Sequence, residues 1–437
     1  MNKIFKINRK INSFKKIINV EGDKSLSIRW VLISSLSKKK SVASNLLKSE
    51  DVMSAINCVK KLGAKVKFSK INCEIIGSGL NYNNKKRVVL NAGNSGTLGR
   101  LILGLLINSK NKIKLIGDKS LSKRDFLRVT VPLRKFGAQF NGSKNLPIEI
   151  KGLDNPKPIN YLEKKGSAQC KTAIMLAALK SKGLTTIKAK RSRDHTELMF
   201  KSLKIPIRIK KVNKKFDQIK IYGVKKINPL NYKIPGDISS CAFFIVLTLL
   251  SKNSQLLIKD INVNPTRIGI IKILKMMGGS IIFLNKRNYK GEKISDILIK
   301  SSKNLNGINC PVEYNSSAID EFLVIFLVAA KSKGISYFKN LSELNQKESP
   351  RLKWASKILN LMGIKNIMTK STIKIYGNPN LNLEKKIHIK NFSKDHRVFM
   401  MSVIAALTFG GKWKINDLDS IKTSFPKFLK ILKKIEC

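Results

Sequence analysis

Six times along the chain, a short stretch of small and polar residues runs into a strongly apolar segment. The stretches are GDKSLSIRWVLISSL from Gly22, GNSGTLGRLILGLL from Gly93, GSAQCKTAIMLAAL from Gly166, GDISSCAFFIVLTLL from Gly236, NSSAIDEFLVIFLVAA from Asn315 and SKDHRVFMMSVIAAL from Ser393. Their starts lie 71, 73, 70, 79 and 78 residues apart. So regular a spacing marks one structural unit used six times. Apolar residues on every side of these segments predict helices that are buried all round. After most of them comes a second helix, amphipathic and closed by Gly, as in DVMSAINCVKKLGA, VTVPLRKFGA, TRIGIIKILKMMGG and RLKWASKILNLMGI. There the apolar positions recur at i, i+3, i+4 and i+7, and the Gly suits a left-handed cap. Short runs rich in Ile and Val (SVASNLL, KVKF, RVVL, KIKLIG, QIKIYG) read as strands. The class is mixed α/β, and six units in 437 residues predict two domains of three units each, divided near Tyr232–Pro235.

Composition narrows this further. A hydrophobic content of 43% excludes a mainly disordered chain. The longest apolar runs, near Cys241–Leu250 and Phe322–Ala330, reach only nine or ten residues. A spanning helix needs about 18, so no membrane segment is expected. The basic N-terminus lacks the apolar core and cleavage site of a signal peptide. The cysteines (Cys58, Cys73, Cys170, Cys241, Cys310, Cys437) form no CxxC pair, and the three His lie far from them. A disulfide framework or metal site is therefore not expected, and a reducing cytosol fits.

The formal net charge of +59 has two readings. It suits a nucleic-acid binder, but the 72 Lys are strewn evenly, aromatics are only 7%, and Lys, Asn and Ile are in excess together. That pattern is what an A/T-rich coding bias produces, and nucleic-acid binding is expected to be non-specific at most. The 14 Arg behave differently: Arg29, Arg100, Arg124, Arg128, Arg193, Arg267, Arg351 and Arg397 all sit in Gly/Ser/Asp-rich stretches. Guanidinium grips phosphate and carboxylate bidentately, which ammonium does not.

The starts of the apolar helices carry the candidate chemistry. A helix N-terminus has unpaired N–H groups and the positive end of the dipole, which favour anions. Equally, Ser, Asp and Asn there serve as N-caps. Four of the stretches carry Lys or Arg, which favours a polyanion site; GDISS has none and reads as structural. Asp320 and Glu321 read, by themselves, as first-turn acids, and Lys347–Glu348 as a solvated pair.

The stretches GDKSLSIR, GNSGTLGR, SKRDFLR, GSAQCK, SRDHTE, PGDISS, NPTRIG, IDEF, KESPR, DHR and TSFP occur in one order over almost the whole chain. Together they resemble the 5-enolpyruvylshikimate-3-phosphate synthase family. The resemblance implies a monomer of two domains, each of three βαβαββ units with buried helices, and an active site in the interdomain cleft. It also implies that residues 1–20 join 234–437 in one domain, with 21–233 as the other. The implied reaction transfers the carboxyvinyl group of phosphoenolpyruvate to the 5-hydroxyl of shikimate 3-phosphate, in chorismate and aromatic amino-acid biosynthesis, without metal or cofactor.

By motif, Lys24, Ser25, Arg29, Ser167, Gln169, Arg193, Asp320 and Lys347 resemble the residues that hold shikimate 3-phosphate. Lys24, Gly96, Arg124, Gln169, Arg351 and Arg397 resemble those for phosphoenolpyruvate, whose pocket the family's inhibitor glyphosate also occupies. The resemblance makes Asp320 the proton acceptor at the 5-hydroxyl and Glu348 the proton donor to the methylene carbon, with Lys24 assisting. His195 and His396 receive structural roles, His396 as a ring bonding backbone, and Lys422 none. Two positions depart from the family pattern. Asp125 follows Arg124 where Pro is usual, and Pro350 stands where Asp is usual. Asp125 would partly neutralise Arg124 unless it points away; Pro350 suits the first turn of a helix.

Two alternatives stand beside this reading. The related transferase acting on UDP-N-acetylglucosamine uses a loop Cys, but no Cys lies between Cys73 and Cys170, where SLSKRDFLR stands. A basic nucleic-acid binder on an inactive version of the fold would need the Lys charge gathered on one face.

Overall fold

The computed structural model describes residues 3–81 and 88–436. Arg87 of the RVVL run and Cys437 lie outside the described residues. The chain divides into two compact units. A terminal unit comprises Met1–Glu21, Pro235–Tyr289 and Lys293–Cys437, and a central unit comprises Gly22–Ile234 with Lys290–Glu292.

Among the described residues, the central unit holds three four-stranded sheets of one design. In each, a parallel pair is extended by antiparallel strands. Val88–Asn91 runs parallel to Ile113–Ile116, which pairs antiparallel with Ile148–Lys151, and that with Gln139–Asn141. Asn160–Glu163, Leu184–Lys190, Phe216–Tyr222 and Ile207–Lys211 repeat the arrangement. So do Tyr232–Lys233, Ser41–Ser44, Asn72–Ile76 and Lys65–Phe68. A parallel pair needs a crossover. The apolar helices Gly96–Leu105 and Ala168–Ala178 supply it in two of the sheets.

In the terminal unit the same design recurs. Lys15–Asn19 runs parallel to Gln255–Asn262, which pairs with Glu292–Lys300. Leu383–Ile389 runs parallel to Gly410–Ile415 across the helix His396–Phe409. Ile335–Phe338 and Ile373–Tyr376 form the third sheet with Asn366–Met368, beside a parallel bridge from Asn309 to Tyr337.

The six apolar helices form the cores. In Ile238–Leu250 every residue from Ile238 to Leu249 is buried, and in Phe322–Lys331 every one from Phe322 to Ala330. At about 1.5–3 kcal/mol per large apolar side chain removed from water, such helices have no stable surface position. Helix Glu50–Lys61 instead buries Val52, Ala55, Ile56 and Val59 and leaves its other face to solvent. Close approach between two of the helices requires glycine: a β-carbon on Gly104 would lie 2.2 Å from the carbonyl oxygen of Ala173. No helix among the described residues is long and apolar enough to cross a membrane.

The fifth repeat corrects the expected helix start. Asn315–Ala318 is a separate turn of helix, and the apolar helix begins at Phe322. Asp320 and Glu321 therefore precede the helix rather than sit in its first turn.

Candidate active site

In the central unit the helix Lys24–Ser34 presents Lys24, Ser25 and Arg29 at its first turns. Asp23 caps it by accepting from the Leu26 amide at 2.8 Å. Nζ of Lys24 lies 3.0 Å from Oδ2 of Asp51, an acid in the first turn of helix Glu50–Lys61. Arg29 is buried and donates from Nε to the hydroxyl of Thr196 (2.9 Å) and from Nη1 to the carbonyl of Ser25 (3.0 Å). The Thr196 hydroxyl also meets that of Thr172 at 2.8 Å. Arg193 stands half-buried in the loop leading into helix His195–Ser202, three residues before this Thr196. His195 is structural, its Nδ1 2.6 Å from Oε1 of Glu292, with both side chains fully buried.

Helix Gly96–Leu105 is capped by Ser95 and helix Ala168–Ala178 by Ser167, whose hydroxyls accept from Leu98 and Cys170 amides. Ser167 is thus a cap, and as a hydroxyl it keeps a proton to donate. Gln169 joins the two helices. Its Oε1 accepts from Nη1 of Arg100 at 2.8 Å and its Nε2 donates to Thr97 at 3.0 Å. Arg100 also lies over the Phe126 ring, 5.2 Å from its centroid. Arg124 donates from Nη2 to Oδ1 of Asn94 (3.1 Å), beside the Gly96 helix start. Asp125 accepts from the Leu127 amide at 2.7 Å, where helix Leu127–Lys135 begins.

In the terminal unit the acids and cations interlock. Oδ1 of Asp320 lies 3.5 Å from Nζ of Lys347 and 3.6 Å from Nη1 of Arg351. Arg351 also pairs with Glu348 through Nη2 and with Asp395 through Nε at 2.9 Å. Nη1 of Arg397 donates to the backbone oxygen of Asp320 at 2.8 Å. Asp395 is the fixed point of the cluster. Fully buried, it caps helix His396–Phe409 through the Arg397 amide (3.0 Å) and accepts from the Ser349 hydroxyl (2.9 Å). Burial would push the Arg351 guanidinium pKa down, yet Asp395 above all, then Glu348 and Asp320, hold it above its ordinary value. Arg351 stays charged.

Other expectations change in detail. Pro350 precedes Arg351, the first helical residue, and so lies one position before the first turn. His396 has Nδ1 3.2 Å from the Thr423 hydroxyl. Lys422 is exposed and pairs with Asp419 at 3.0 Å. The largest correction concerns GDISS, which has no cation beside it in sequence. Arg267, thirty residues on, donates from Nη2 to Oδ1 of Asp237 (3.2 Å) and to the Ser239 hydroxyl (2.8 Å).

Arg100, Asp51, Asp395 and Thr196 are the members sequence reasoning left without a role. Each stood inside or beside a quoted motif, but a partner's position depends on the fold. Chemically, the central cluster offers cations and amide groups held ready for anionic ligands. The terminal cluster sets two carboxyl groups, Asp320 and Glu348, on one guanidinium, a pairing suited to moving protons next to bound anions.

Comparison with known proteins identifies the family. A family model described as EPSP synthase (3-phosphoshikimate 1-carboxyvinyltransferase) matches residues 8–432. The 3-phosphoshikimate 1-carboxyvinyltransferase of Caldicellulosiruptor saccharolyticus is 39% identical over 434 residues, covering 98% of both chains. That of Ruthia magnifica subsp. Calyptogena magnifica is 38% identical, over 97% of this chain and 96% of its own. The solved EPSP synthase of Acinetobacter baumannii superposes with a TM-score of 0.86 at 32% identity, covering 100% of this chain and 98% of its own. The enolpyruvyl transferase NikO from Streptomyces tendae shares the fold, with a TM-score of 0.76 at 12% identity over 100% of this chain and 98% of its own. With fold, cation clusters and full-length likeness in agreement, the chain belongs to the EPSP synthase (3-phosphoshikimate 1-carboxyvinyltransferase) family.

Proposed function

We infer that the chain carries out its family's reaction, transfer of the enolpyruvyl group of phosphoenolpyruvate to the 5-hydroxyl of shikimate 3-phosphate with release of phosphate. The central cluster binds the phosphorylated ring: Lys24, Ser25, Arg29, Ser167, Gln169 and Arg193 take its phosphate and hydroxyls, and Asp320 and Lys347 take the 5-hydroxyl side. Lys24, Gly96, Arg124, Gln169, Arg351 and Arg397 take phosphoenolpyruvate. Asp320 accepts the hydroxyl proton as the oxygen attacks C2, while Glu348 protonates C3 to make a methyl group. On elimination Glu348 recovers a proton from that methyl, the C2–phosphate bond breaks and the new double bond forms.

One observation supports the acid–base assignment most. Asp320 and Glu348 share Arg351, so one fixed guanidinium holds both carboxyl groups side by side. An anionic substrate would engage the same Arg351 and so come to lie beside both carboxyl groups. The protein acts as a monomer in a reducing cytosol. That placement is supported by buried thiols of Cys58, Cys73, Cys170 and Cys310, each pushed up to about 12 by burial.

The test is phosphate release with both substrates, in the native protein and in Asp320→Ala. The native protein should turn over, and the variant should lose roughly 10²–10⁴-fold, the range for a positioned acid–base group. Its affinity for shikimate 3-phosphate should change far less. Near-normal turnover in the variant rejects the role of Asp320.

A further inference from the structure

We propose that Glu321, Ser239, Arg267 and Asp237 form a buried positioning unit that holds Asp320 through the Asp320–Glu321 peptide. The proposal rests on reading Asp320 as the proton acceptor. It gives the GDISS and NPTRIG motifs, which the site above leaves unused, a part in the chemistry.

The Glu321 carboxylate is the telling group. Five of the six apolar helices are capped by a side chain that accepts from an amide of their own first turn. Glu321 precedes helix Phe322–Lys331 in the equivalent place and makes no such bond. Instead Oε1 accepts from the Ser239 hydroxyl, and that hydroxyl accepts from Nη2 of Arg267 at 2.8 Å. The same Nη2 reaches Oδ1 of Asp237 at 3.2 Å, and Asp237 in turn caps helix Ile238–Leu250 through the Ser239 amide at 2.8 Å. Glu321 is 1% exposed and Arg267 2%. An exposed Ser or Asp would cap the helix without burying charge, and burying a carboxylate costs several kcal/mol unless it is well paired. Asp23, Asp237 and Asp395 are buried too, but each caps its own helix, whereas the Glu321 carboxylate is tied to a neighbouring helix, at the residue next to Asp320.

The consequence for Asp320 is mechanical. Nη1 of Arg397 grips its carbonyl oxygen at 2.8 Å, and the Glu321 side chain is tied to a second apolar helix. With the peptide clamped from both ends, only side-chain torsions remain, and Lys347 and Arg351 face the carboxylate. A proton acceptor needs placement within about 0.5 Å, which a loop by itself does not supply.

Ser239→Ala removes the link and leaves every residue assigned to substrate in place. It should lower kcat about tenfold, with both KM values within about threefold, since coupled contacts in one network carry interaction energies of that order. Ser239→Thr, which keeps the hydroxyl, should recover most of the rate. In an Asp320→Ala background, Ser239→Ala should lower the rate no further, because the unit has nothing left to position. An equal loss in both backgrounds, or a loss confined to KM, overturns the proposal while the Asp320 assignment stands. Full turnover in Asp320→Ala by itself removes that assignment and the proposal with it. Should Ser239→Ala fail to fold, Glu321→Gln, which keeps shape and an acceptor oxygen but no charge, is read by the same cycle.

Discussion

A β-carbon built on Gly96 would lie 3.0 Å from Nη1 of Arg124 and 3.1 Å from Nη1 of Arg100. The hydrogen of glycine is what lets two guanidinium groups approach this helix start. Both contacts are with flexible side-chain ends, and so a methyl group there shifts the guanidinium groups before it disturbs the core.

Gly96→Ala should therefore weaken phosphoenolpyruvate binding, and glyphosate binding more, while shikimate 3-phosphate binding and melting temperature stay close to native. Titrating the three ligands against both proteins, alongside a thermal melt, checks this. Unchanged glyphosate affinity, or a large fall in Tm, would show that Gly96 is a packing glycine only.

Asp125 gives a second, opposite test. Its carboxylate accepts from the Leu127 amide. Asp125→Ala should cost about 0.5–1 kcal/mol of stability, the worth of a helix-start acceptor. The KM for phosphoenolpyruvate should stay within a few-fold of native. A tenfold gain in phosphoenolpyruvate affinity would mean that Asp125 neutralises Arg124 in solution.

Asp395 is expected to matter for stability before it matters for catalysis. It is fully buried and holds the Arg351 guanidinium, the Ser349 hydroxyl and the Arg397 amide. Asp395→Ala leaves a buried cation with less compensation, a change that costs about 3–5 kcal/mol. The urea midpoint should fall sharply, and activity should be low even where the variant stays folded. A variant as stable as native would mean that Glu348 and Asp320 suffice to hold Arg351.

The +59 charge leads to a prediction about salt. Charge scattered as Lys through every segment should bind duplex DNA weakly and without preferred sequence, with affinity falling steeply as salt rises. Binding measured from low to physiological salt, on two unrelated duplexes, should show the same steep slope. A sequence-selective complex at physiological salt would point to a second use for the charge.

Much of this protein is legible along the chain. The six apolar helices, the amphipathic helices closed by glycine and the mixed α/β class all follow from local periodicity, because burial repeats at helical spacing whatever the partner. The motif order suffices for the family, since small residues and Arg in those stretches are read without coordinates.

What the tertiary structure decided is pairing. Lys24 with Asp51, Arg100 with Gln169, Arg351 with Asp395, and Arg267 with Ser239 join residues 27, 69, 44 and 28 positions apart. No local pattern encodes such distances. The same holds where the helix after Asp320 begins: a propensity reading runs it from the first polar residues, yet tying Glu321 to Ser239 leaves Asp320 outside it. Local hydrophobic order determined which segments are helices and strands. Long-range packing decided which charges meet, because a charge entering the core must find a partner wherever the fold brings one.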